Sequence, residues 1–341
     1  MNIDLLLGRR NSIYGVCAVW VVLFHVFDRL RAPVIPVVTD IICTGNIAVD
    51  IFIFFSGLCL ALSAAKNHYQ AAGWKAYYTK RLKRILIPYL IIAIPYYAWN
   101  AMAEHSGSLL RRAAVFLGNL SSANFWLNGT QTTWFAFGIL LLYLIFPLLY
   151  SALSGKDLFG ARSLALLAGS IAFAVLSSYI PVLKKSIVVW GRVPIFIIGV
   201  ICGCRKDQVS GFFRRKGLTA GIAALMLVLL TFLLSRDKLS GRASIQQIYR
   251  FLLYIPMTLS ILCLLSLPGP RKESGVLAAL GAVSFEIYLV HITLLHPFKF
   301  YGLLEKAGYW SYLIVPLAAI AVSFAVYRLE KWIAARLDGG K

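Results

Sequence analysis

The chain has 341 residues, of which 60% are hydrophobic and 14% are charged, and its formal net charge is +21. Soluble domains average about 45–50% apolar and about 25% charged residues, so this composition excludes an ordinary soluble domain and indicates a membrane protein with several spans. The basic residues cluster between apolar runs, which is how membrane proteins set their orientation, so we expect no nucleic acid partner.

About ten apolar segments approach the roughly 20 residues that a spanning helix needs. In chain order they are Ser12–Asp28, Asp40–Ala65, Ile85–Ala103, Thr133–Leu153, Ser163–Ile180, Ile187–Cys204, Leu218–Leu234, Tyr249–Leu267, Val276–Pro297 and Tyr309–Tyr327. These segments predict an all-α polytopic membrane protein of about ten transmembrane helices. The longest loop, Glu104–Thr132, is too short for a soluble domain, so we expect a single transmembrane domain over residues 1–341 with no fused soluble domain.

The basic residues predict the orientation of these spans. The two loops richest in lysine and arginine, Lys66–Arg84 and Cys204–Lys216, fall on the same side as the N-terminus if the spans alternate. Because loops of this kind stay in the cytoplasm, we predict that the N-terminus is cytoplasmic. With an even number of spans the C-terminus is cytoplasmic as well. The expected location is the inner or plasma membrane, with membrane lipids as neighbours.

Five ionisable residues lie within the predicted spans, where burial in lipid is costly and usually marks a cavity or pathway. They are His25, Asp50, Arg192, Glu286 and His291. In the predicted orientation all five fall in the middle or outer half of the membrane, which one water-filled vestibule explains.

Each of these residues also has a structural interpretation. A histidine near a helix end can reach the interface, Asp50 can pair with Arg192 or with a histidine, and Glu286 can be neutral and bonded to a neighbouring helix. The other three histidines are assigned no role, because His68 and His105 lie in loops and His296 lies at the edge of a span.

Two further patterns bear on chemistry. A histidine beside a carboxylate is a natural general base, since its unperturbed pKa is about 6.5. The stretch "YYTKRLKRILIPY" holds Lys80, Arg81, Lys83 and Arg84 at the membrane surface. These side chains suit phosphate groups or serve only as cytoplasmic anchors. The Cys202-Gly-Cys204 spacing lacks a second ligand pair, so we expect no metal site.

Six stretches occur in an order that covers nearly the whole chain. They are "GVCAVWVVLFH" (Gly15–His25), "GNIAVDIFIFFSGLCLALS" (Gly45–Ser63), "RLKRILIPYL" (Arg81–Leu90), "TWFAFGILLLYLIFPLL" (Thr133–Leu149), "GRVPIFIIGVICG" (Gly191–Gly203) and "LGAVSFEIYLVH" (Leu280–His291). Together they resemble the acyltransferase-3 family of integral membrane O-acyltransferases.

The resemblance implies a function. Members of this family take an acyl group, usually acetyl, from cytoplasmic acyl-CoA and pass it to a hydroxyl of a surface glycan or lipid-linked sugar. It implies that acetyl-CoA or another acyl-CoA is the donor and that His25 is the first-helix histidine essential for transfer. By the same resemblance Arg81 and Arg84 match the basic motif linked to the donor, and Asp50 and His291 match positions carried by the second and ninth helices.

The sequence departs from the family at three points. Many members have arginine where this chain has Tyr14, and Arg10, one helical turn away, is placed to substitute for it. Glutamates common in the fourth-helix motif are replaced by Ile139 and Leu140. An extracytoplasmic domain fused in some members is absent from this sequence, so a second protein is a further expected partner.

These observations lead to a mechanistic hypothesis and two alternatives. Coenzyme A phosphates would bind Lys80, Arg81, Lys83 and Arg84, with Arg10 and Tyr14 completing the donor site. His25 would deprotonate the acceptor, oriented by Asp50 or Glu286, and Arg192 would stabilise the oxyanion. Direct attack and an acyl-His25 intermediate both remain open, as does the oligomeric state, with a homodimer compatible. The alternatives are a glycan-precursor transporter or flippase, disfavoured by the lack of a repeat, and a non-catalytic scaffold.

Overall fold

The computed structural model describes residues 1–30, 35–67, 73–104, 106–130, 132–154, 160–213, 221, 243–268, 273 and 275–338. All regular secondary structure in these residues is helical, which confirms the predicted all-α fold. The predicted seventh span, Leu218–Leu234, lies outside the described residues except for residue 221.

The helices are numbered in chain order. The first seven are α1 (Ile3–Gly8), α2 (Arg10–Leu30), α3 (Pro36–Cys43), α4 (Asn46–Asn67), α5 (Gly73–Ala103), α6 (Leu109–Leu120) and α7 (Ala123–Asn128). The next five are α8 (Trp134–Leu153), α9 (Ala161–Ser177), α10 (Pro181–Lys184), α11 (Ile187–Trp190) and α12 (Val193–Cys204). The last five are α13 (Ala243–Leu265), α14 (Gly275–Ala282), α15 (Ser284–Phe300), α16 (Leu303–Ala307) and α17 (Ser311–Asp338).

Several of these helices can cross a membrane. In the described part of the chain, six segments are long and apolar enough: α2, α4, α5, α8, the segment Ile187–Cys204 and the segment Leu303–Arg336. The pair α14 and α15, bent by 69°, makes a seventh if it counts as one span. Helix α9 and residues Tyr254–Leu265 of α13 are shorter apolar helices. The chain is therefore a multi-pass membrane protein, and the predicted count of about ten spans is not confirmed.

Several predicted spans have different boundaries in the structure, and three of them are divided or begin at a different place. The second, Asp40–Ala65, is divided at Thr44 and Gly45 into α3 and α4. The third begins at Gly73 rather than Ile85, so the basic stretch assigned to a loop is helical, as the high helix propensity of lysine and arginine allows. The ninth is interrupted at Val283, between α14 and α15. Hydropathy does not reveal such breaks, because the residues on both sides are apolar.

The helices form two compact units. Unit 1 contains Met1–Arg10, Ile47–Tyr78 and Leu141–Glu273, and unit 2 contains Asn11–Asn46, Thr79–Leu140 and Ser274–Lys341. In unit 1, α4 and α12 run parallel in close contact through glycines: Gly199 lies against the backbone of Phe54, and Gly57 against that of Phe196. Small residues allow this approach of two membrane helices.

In unit 2, α14 crosses α2 in the opposite direction with similarly close backbones. Gly15 lies against the carbonyl of Leu277, and Gly281 lies against the carbonyl of Asn11. A Cβ atom at either glycine would overlap backbone atoms that cannot rotate away. These contacts place α14, and therefore the start of α15, beside the first spanning helix.

Gly281→Ala is expected to lower the free energy of unfolding by about 1–3 kcal/mol, because the added methyl group pushes α14 away from α2. Thermal unfolding of the detergent-solubilised protein measures this loss. Gly169→Ala is the matched control, since nothing lies within 4 Å of its added Cβ on α9. An equal effect of both substitutions would contradict the proposed overlap.

Candidate functional site

Helix α15 carries three polar residues spaced five positions apart: Glu286, His291 and His296. Along a helix axis this spacing is about 7.5 Å. Each of the three meets side chains from other helices of unit 2, which produces three polar layers at successive depths. We name them the arginine layer (Arg84, Glu286 and Glu330), the histidine layer (His25 and His291) and the tyrosine layer (Tyr96, Glu104 and His296).

In the arginine layer, one guanidinium binds two carboxylates. Arg84 Nη1 lies 2.6 Å from Glu286 Oε1 and 3.1 Å from both carboxylate oxygens of Glu330. The side chain of Glu286 is fully buried, that of Glu330 is 7% exposed and that of Arg84 is 37% exposed. Glu286 also lies in the first turn of α15, where the helix dipole favours a negative charge. Arg84, predicted to bind phosphate, is thus held by two protein carboxylates.

The three members of the arginine layer are expected to differ in their effect on stability. Arg84→Gln leaves two carboxylates, one of them fully buried, without their cation, and should cost about 3–5 kcal/mol. Glu330→Gln should cost about 1 kcal/mol or less, because Arg84 keeps its closer partner Glu286 and is partly exposed. Thermal unfolding of both variants tests this order, and a Glu330→Gln loss as large as that of Arg84→Gln would contradict it.

In the histidine layer, two imidazole rings are in edge-to-face contact. The ring centroids of His25 and His291 are 5.2 Å apart with an interplanar angle of 77°. His291 is fully buried, and its Nδ1 lies 2.9 Å from the carbonyl oxygen of Ile287. Because a carbonyl only accepts, this contact assigns the proton to Nδ1 and leaves a lone pair on His291 Nε2.

No described residue donates a hydrogen bond to the lone pair on His291 Nε2. Among the residues that the structure describes, neither His291 Nε2 nor His25 Nδ1 has a hydrogen-bond partner, and both atoms are buried. An unsatisfied buried nitrogen costs about 1–3 kcal/mol, and such groups in native structures call for an explanation, such as a catalytic role. The histidine layer thus presents a buried proton acceptor.

The predicted carboxylate partner of His25, Asp50 or Glu286, stays a prediction, and both carboxylates contact an arginine. Glu286 binds Arg84, and the group in contact with the His25 ring on α15 is His291. Asp50, in unit 1, forms an ion pair with Arg192 at 3.1 Å. Both members of this pair are 3% exposed, which agrees with the interpretation that Asp50 is the structural partner of Arg192, and the predicted role of Asp50 beside His25 stays a prediction.

The predicted common vestibule is not tested by this structure. Asp50 and Arg192 belong to unit 1, whereas His25, Glu286 and His291 belong to unit 2. The Arg192 guanidinium also donates to the carbonyl of Val188 at 2.9 Å. Its contacts with Asp50 and this carbonyl hold it in place, and its role at an oxyanion stays a prediction.

The remaining predicted donor residues lie on two helices. Lys80, Arg81 and Lys83 occupy the turn of α5 that precedes Arg84, with Lys80 exposed and the other two half-buried. Arg10 belongs to unit 1, where its guanidinium donates to Cys59 Sγ at 3.8 Å. Tyr14 lies one turn later on α2, in unit 2. Their predicted contact with the donor stays a prediction.

The tyrosine layer was not found from the sequence. His296 Nε2 lies 2.9 Å from Glu104 Oε1, and its Nδ1 lies 2.6 Å from the Tyr96 hydroxyl. His296 and Glu104 both lie at the edges of predicted spans, where a polar residue is ordinary, and nothing in the sequence links two positions so far apart. Only the packing of α5 against α15 brings these groups together.

In the ranges that the structure covers, no group of three or more histidine, cysteine, aspartate or glutamate side chains is arranged to hold a metal ion.

The fold is that of a multi-pass helical membrane protein in which His25 and His291 are in contact. A family model described as an acyltransferase domain matches residues 13–328. Because this match covers nearly the whole chain, the protein belongs to the acyltransferase-3 family and is a membrane acyltransferase. Comparison with curated proteins and with solved structures finds no match to this chain.

Proposed function

We propose that the protein moves an acetyl group, or another acyl group, from cytoplasmic acyl-CoA to a hydroxyl of a surface or lipid-linked glycan. The observation that carries this proposal is the histidine layer, with its buried and unpartnered ring nitrogens. A neutral imidazole that accepts a proton from a hydroxyl is the usual general base of acyl transfer. The family match supports the acyl-transfer class, and the proposal adds the donor, the acceptor and the base.

In the proposed step, an imidazole of the histidine layer takes the proton of the acceptor hydroxyl. At the same time the hydroxyl oxygen attacks the carbonyl carbon of the thioester. The carbon–sulfur bond then breaks, and the thiolate of coenzyme A receives the proton. Two imidazoles in contact disfavour double protonation, so His25 and His291 together take up one proton beyond those that the neutral rings carry, and act as one base.

We assign the binding of the acyl-CoA donor to the basic turn of α5. Lys80, Arg81 and Lys83 precede Arg84 there and offer a positive charge that suits the phosphates of coenzyme A. Arg84, which also contacts Glu286 and Glu330, closes this turn, and we assign the phosphate contacts to the turn as a whole. This turn lies at the cytoplasmic face if the basic loops stay inside, and the protein then belongs in the inner or plasma membrane.

The test uses the protein reconstituted in lipid nanodiscs with radiolabelled acetyl-CoA and a lipid-linked glycan. Release of thiol and transfer of label are measured for wild type and for His25→Ala, with thermal unfolding as the control for folding. His68→Ala, in a predicted loop outside the described residues, is the matched histidine control. We expect His25→Ala to lose both signals and His68→Ala to keep them.

Two results would contradict the proposal. If a folded His25→Ala retains full activity, His25 is not part of the base. If wild type consumes neither acetyl-CoA nor longer acyl-CoA donors, the proposed donor is wrong, and the transporter hypothesis takes its place.

A further inference from the structure

Three helices of unit 2 end at the same place, beyond the histidine layer. The Lys299 ammonium near the end of α15 donates to the carbonyl of Arg29 near the end of α2, at 3.3 Å. The Tyr96–His296 bond joins α5 to α15 at the same level. Arg29 follows His25 by one turn, and His296 follows His291 by about 7.5 Å along the axis. The tyrosine layer therefore lies between the histidine layer and this common end.

A chain of asparagine side chains leads outward from the tyrosine layer. Asn100 donates to Glu104, and Asn119 donates to Asn100 at 3.4 Å. Asn124 then donates to Asn119 at 2.8 Å, and Asn128 donates to Asn124 at 3.2 Å. The first two amides are buried, the third is half-buried and the fourth is exposed.

The asparagine chain is held in place before any ligand arrives. Each amide has two N–H donors and an oxygen that accepts two hydrogen bonds, and the contacts along the chain use one N–H of each. Gly118 leaves room for Asn124, because a Cβ there would come within 2.8 Å of the amide nitrogen of Asn124. The Tyr89 hydroxyl, which donates to the carbonyl of Leu120 at 2.8 Å, ties α6 to α5. The amides are therefore oriented in advance.

Aromatic rings surround the place where α2, α5 and α15 end. Trp99 Nε1 donates to the Tyr301 hydroxyl at 3.1 Å, and the Trp99 ring lies 5.7 Å from the rings of both His296 and Phe300. Tyr301 is 54% exposed and Phe300 is 48% exposed. Aromatic residues collect at membrane interfaces in general, which accounts for exposed rings. Beneath these rings lie a half-buried carboxylate and imidazole and a chain of amides whose first two members, Asn100 and Asn119, are buried at a desolvation cost.

We propose that this amide–aromatic cluster (Trp99, Glu104, Asn124, Asn128, His296 and Tyr301) binds a sugar ring of the acceptor. A pyranose has an apolar C–H face that packs on aromatic rings and a rim of hydroxyls that bond to amides and carboxylates. The Trp99 ring and the Glu104 carboxylate lie at His296, about 7.5 Å along α15 from His291, and the amides of Asn124 and Asn128 are linked to them through Asn119 and Asn100. This inference rests on the proposed function for its order of events, but sugar binding by itself does not require acyl transfer.

The experiment measures sugar binding and acyl transfer separately. Saturation-transfer NMR with methyl glycosides of glucose, galactose and N-acetylglucosamine detects binding to the protein in nanodiscs. In parallel, the KM for each glycoside and the acceptor-independent hydrolysis of acetyl-CoA are measured. The cluster variants are Trp99→Ala, Trp99→Phe and Asn128→Ala, of which the last changes an exposed side chain and should fold normally.

The controls are a tryptophan and an asparagine in comparable settings away from the cluster. Trp332→Ala removes a ring that is 52% exposed and lies near the C-terminal end of α17. Asn67→Ala removes an exposed amide that bonds to Ser63 at the end of α4. Neither residue belongs to the three layers.

We expect Trp99→Ala and Asn128→Ala to raise the KM for the glycoside about tenfold, equivalent to about 1.4 kcal/mol of lost binding. Hydrolysis of acetyl-CoA should stay within about twofold of wild type, and Trp99→Phe should restore most of the binding. Unchanged glycoside binding in both cluster variants would overturn the inference, as would an equal loss of hydrolysis and transfer. Wild type that consumes acetyl-CoA but binds no glycoside overturns it and leaves acyl transfer intact. Cluster-dependent binding without consumption of acetyl-CoA supports the sugar site and rejects the proposed donor.

Discussion

His291→Gln is expected to reduce acyl transfer by about 10²–10⁴-fold, the usual contribution of a general base. Glutamine keeps a polar side chain in the buried position but offers no basic nitrogen. In the native protein the Ile287 carbonyl, 2.9 Å away, holds the proton on Nδ1, so the lone pair of Nε2 is available as a base. Label transfer from acetyl-CoA in nanodiscs measures the effect, with thermal unfolding as the control for folding.

A variant with both histidines replaced tests whether the two imidazoles act together. Because His25 and His291 are in contact and are proposed to act as one base, His25→Gln with His291→Gln should lose little more activity than either single variant. If the losses multiply instead, the two imidazoles have independent roles. A well-folded His291→Gln that keeps more than about a tenth of the activity would remove His291 from the mechanism.

Arg192→Ala is expected to lower the free energy of unfolding by about 3–5 kcal/mol. Both Arg192 and Asp50 are 3% exposed, and removal of the guanidinium leaves the Asp50 carboxylate buried without a cation. Unfolding of the solubilised protein, followed by heat or denaturant, measures the loss. Replacement of both residues, Asp50→Leu with Arg192→Met, should recover most of it, because a well-packed apolar pair avoids the desolvation cost of two ions.

The control for this ion pair is another pair in the same unit. Asp4 and Lys206 also form a salt bridge, but their side chains are 70% and 31% exposed. Asp4→Ala should therefore change stability by about 0.5 kcal/mol or less. If Arg192→Ala is as stable as Asp4→Ala and yet inactive, Arg192 acts in the reaction, as the sequence predicted, and the structural assignment is wrong.

The positions of most spanning helices could be predicted because bilayer thickness imposes a simple rule on sequence. Helix α8 begins within one residue of the predicted Thr133–Leu153, since polar residues flank a continuous apolar run. The break at Val283 could not be predicted, because hydropathy averages over the residues on both sides of it. Helix α17 continues to Asp338, past the predicted end at Tyr327, so Glu330 was not recognised as a residue within a span.

The site could be predicted in part, because a buried charge is unusual enough to be seen in one sequence. His25, Asp50, Arg192, Glu286 and His291 were all found in this way, and all five are side chains with buried atoms. The side chains that contact these five residues could be predicted less well from the sequence. Arg84 and Glu286 are 202 positions apart, and no local pattern connects such residues. Which carboxylate meets which cation depends on helix packing, which a single sequence does not specify.

The placement of Glu286, His291 and His296 on one unbroken helix has a consequence for how this chain can vary. A substitution in α15 changes one contact, but an inserted or deleted residue turns everything beyond it by about 100° and shifts it by about 1.5 Å. One insertion between Glu286 and His291 would therefore separate His291 from His25 and His296 from Glu104 while the arginine layer stayed in place. We expect related chains to tolerate exchanges of apolar residues in this helix but to keep its length unchanged. Insertions should instead collect between Tyr301 and Ser311, because α17 beyond that point carries Glu330 of the arginine layer.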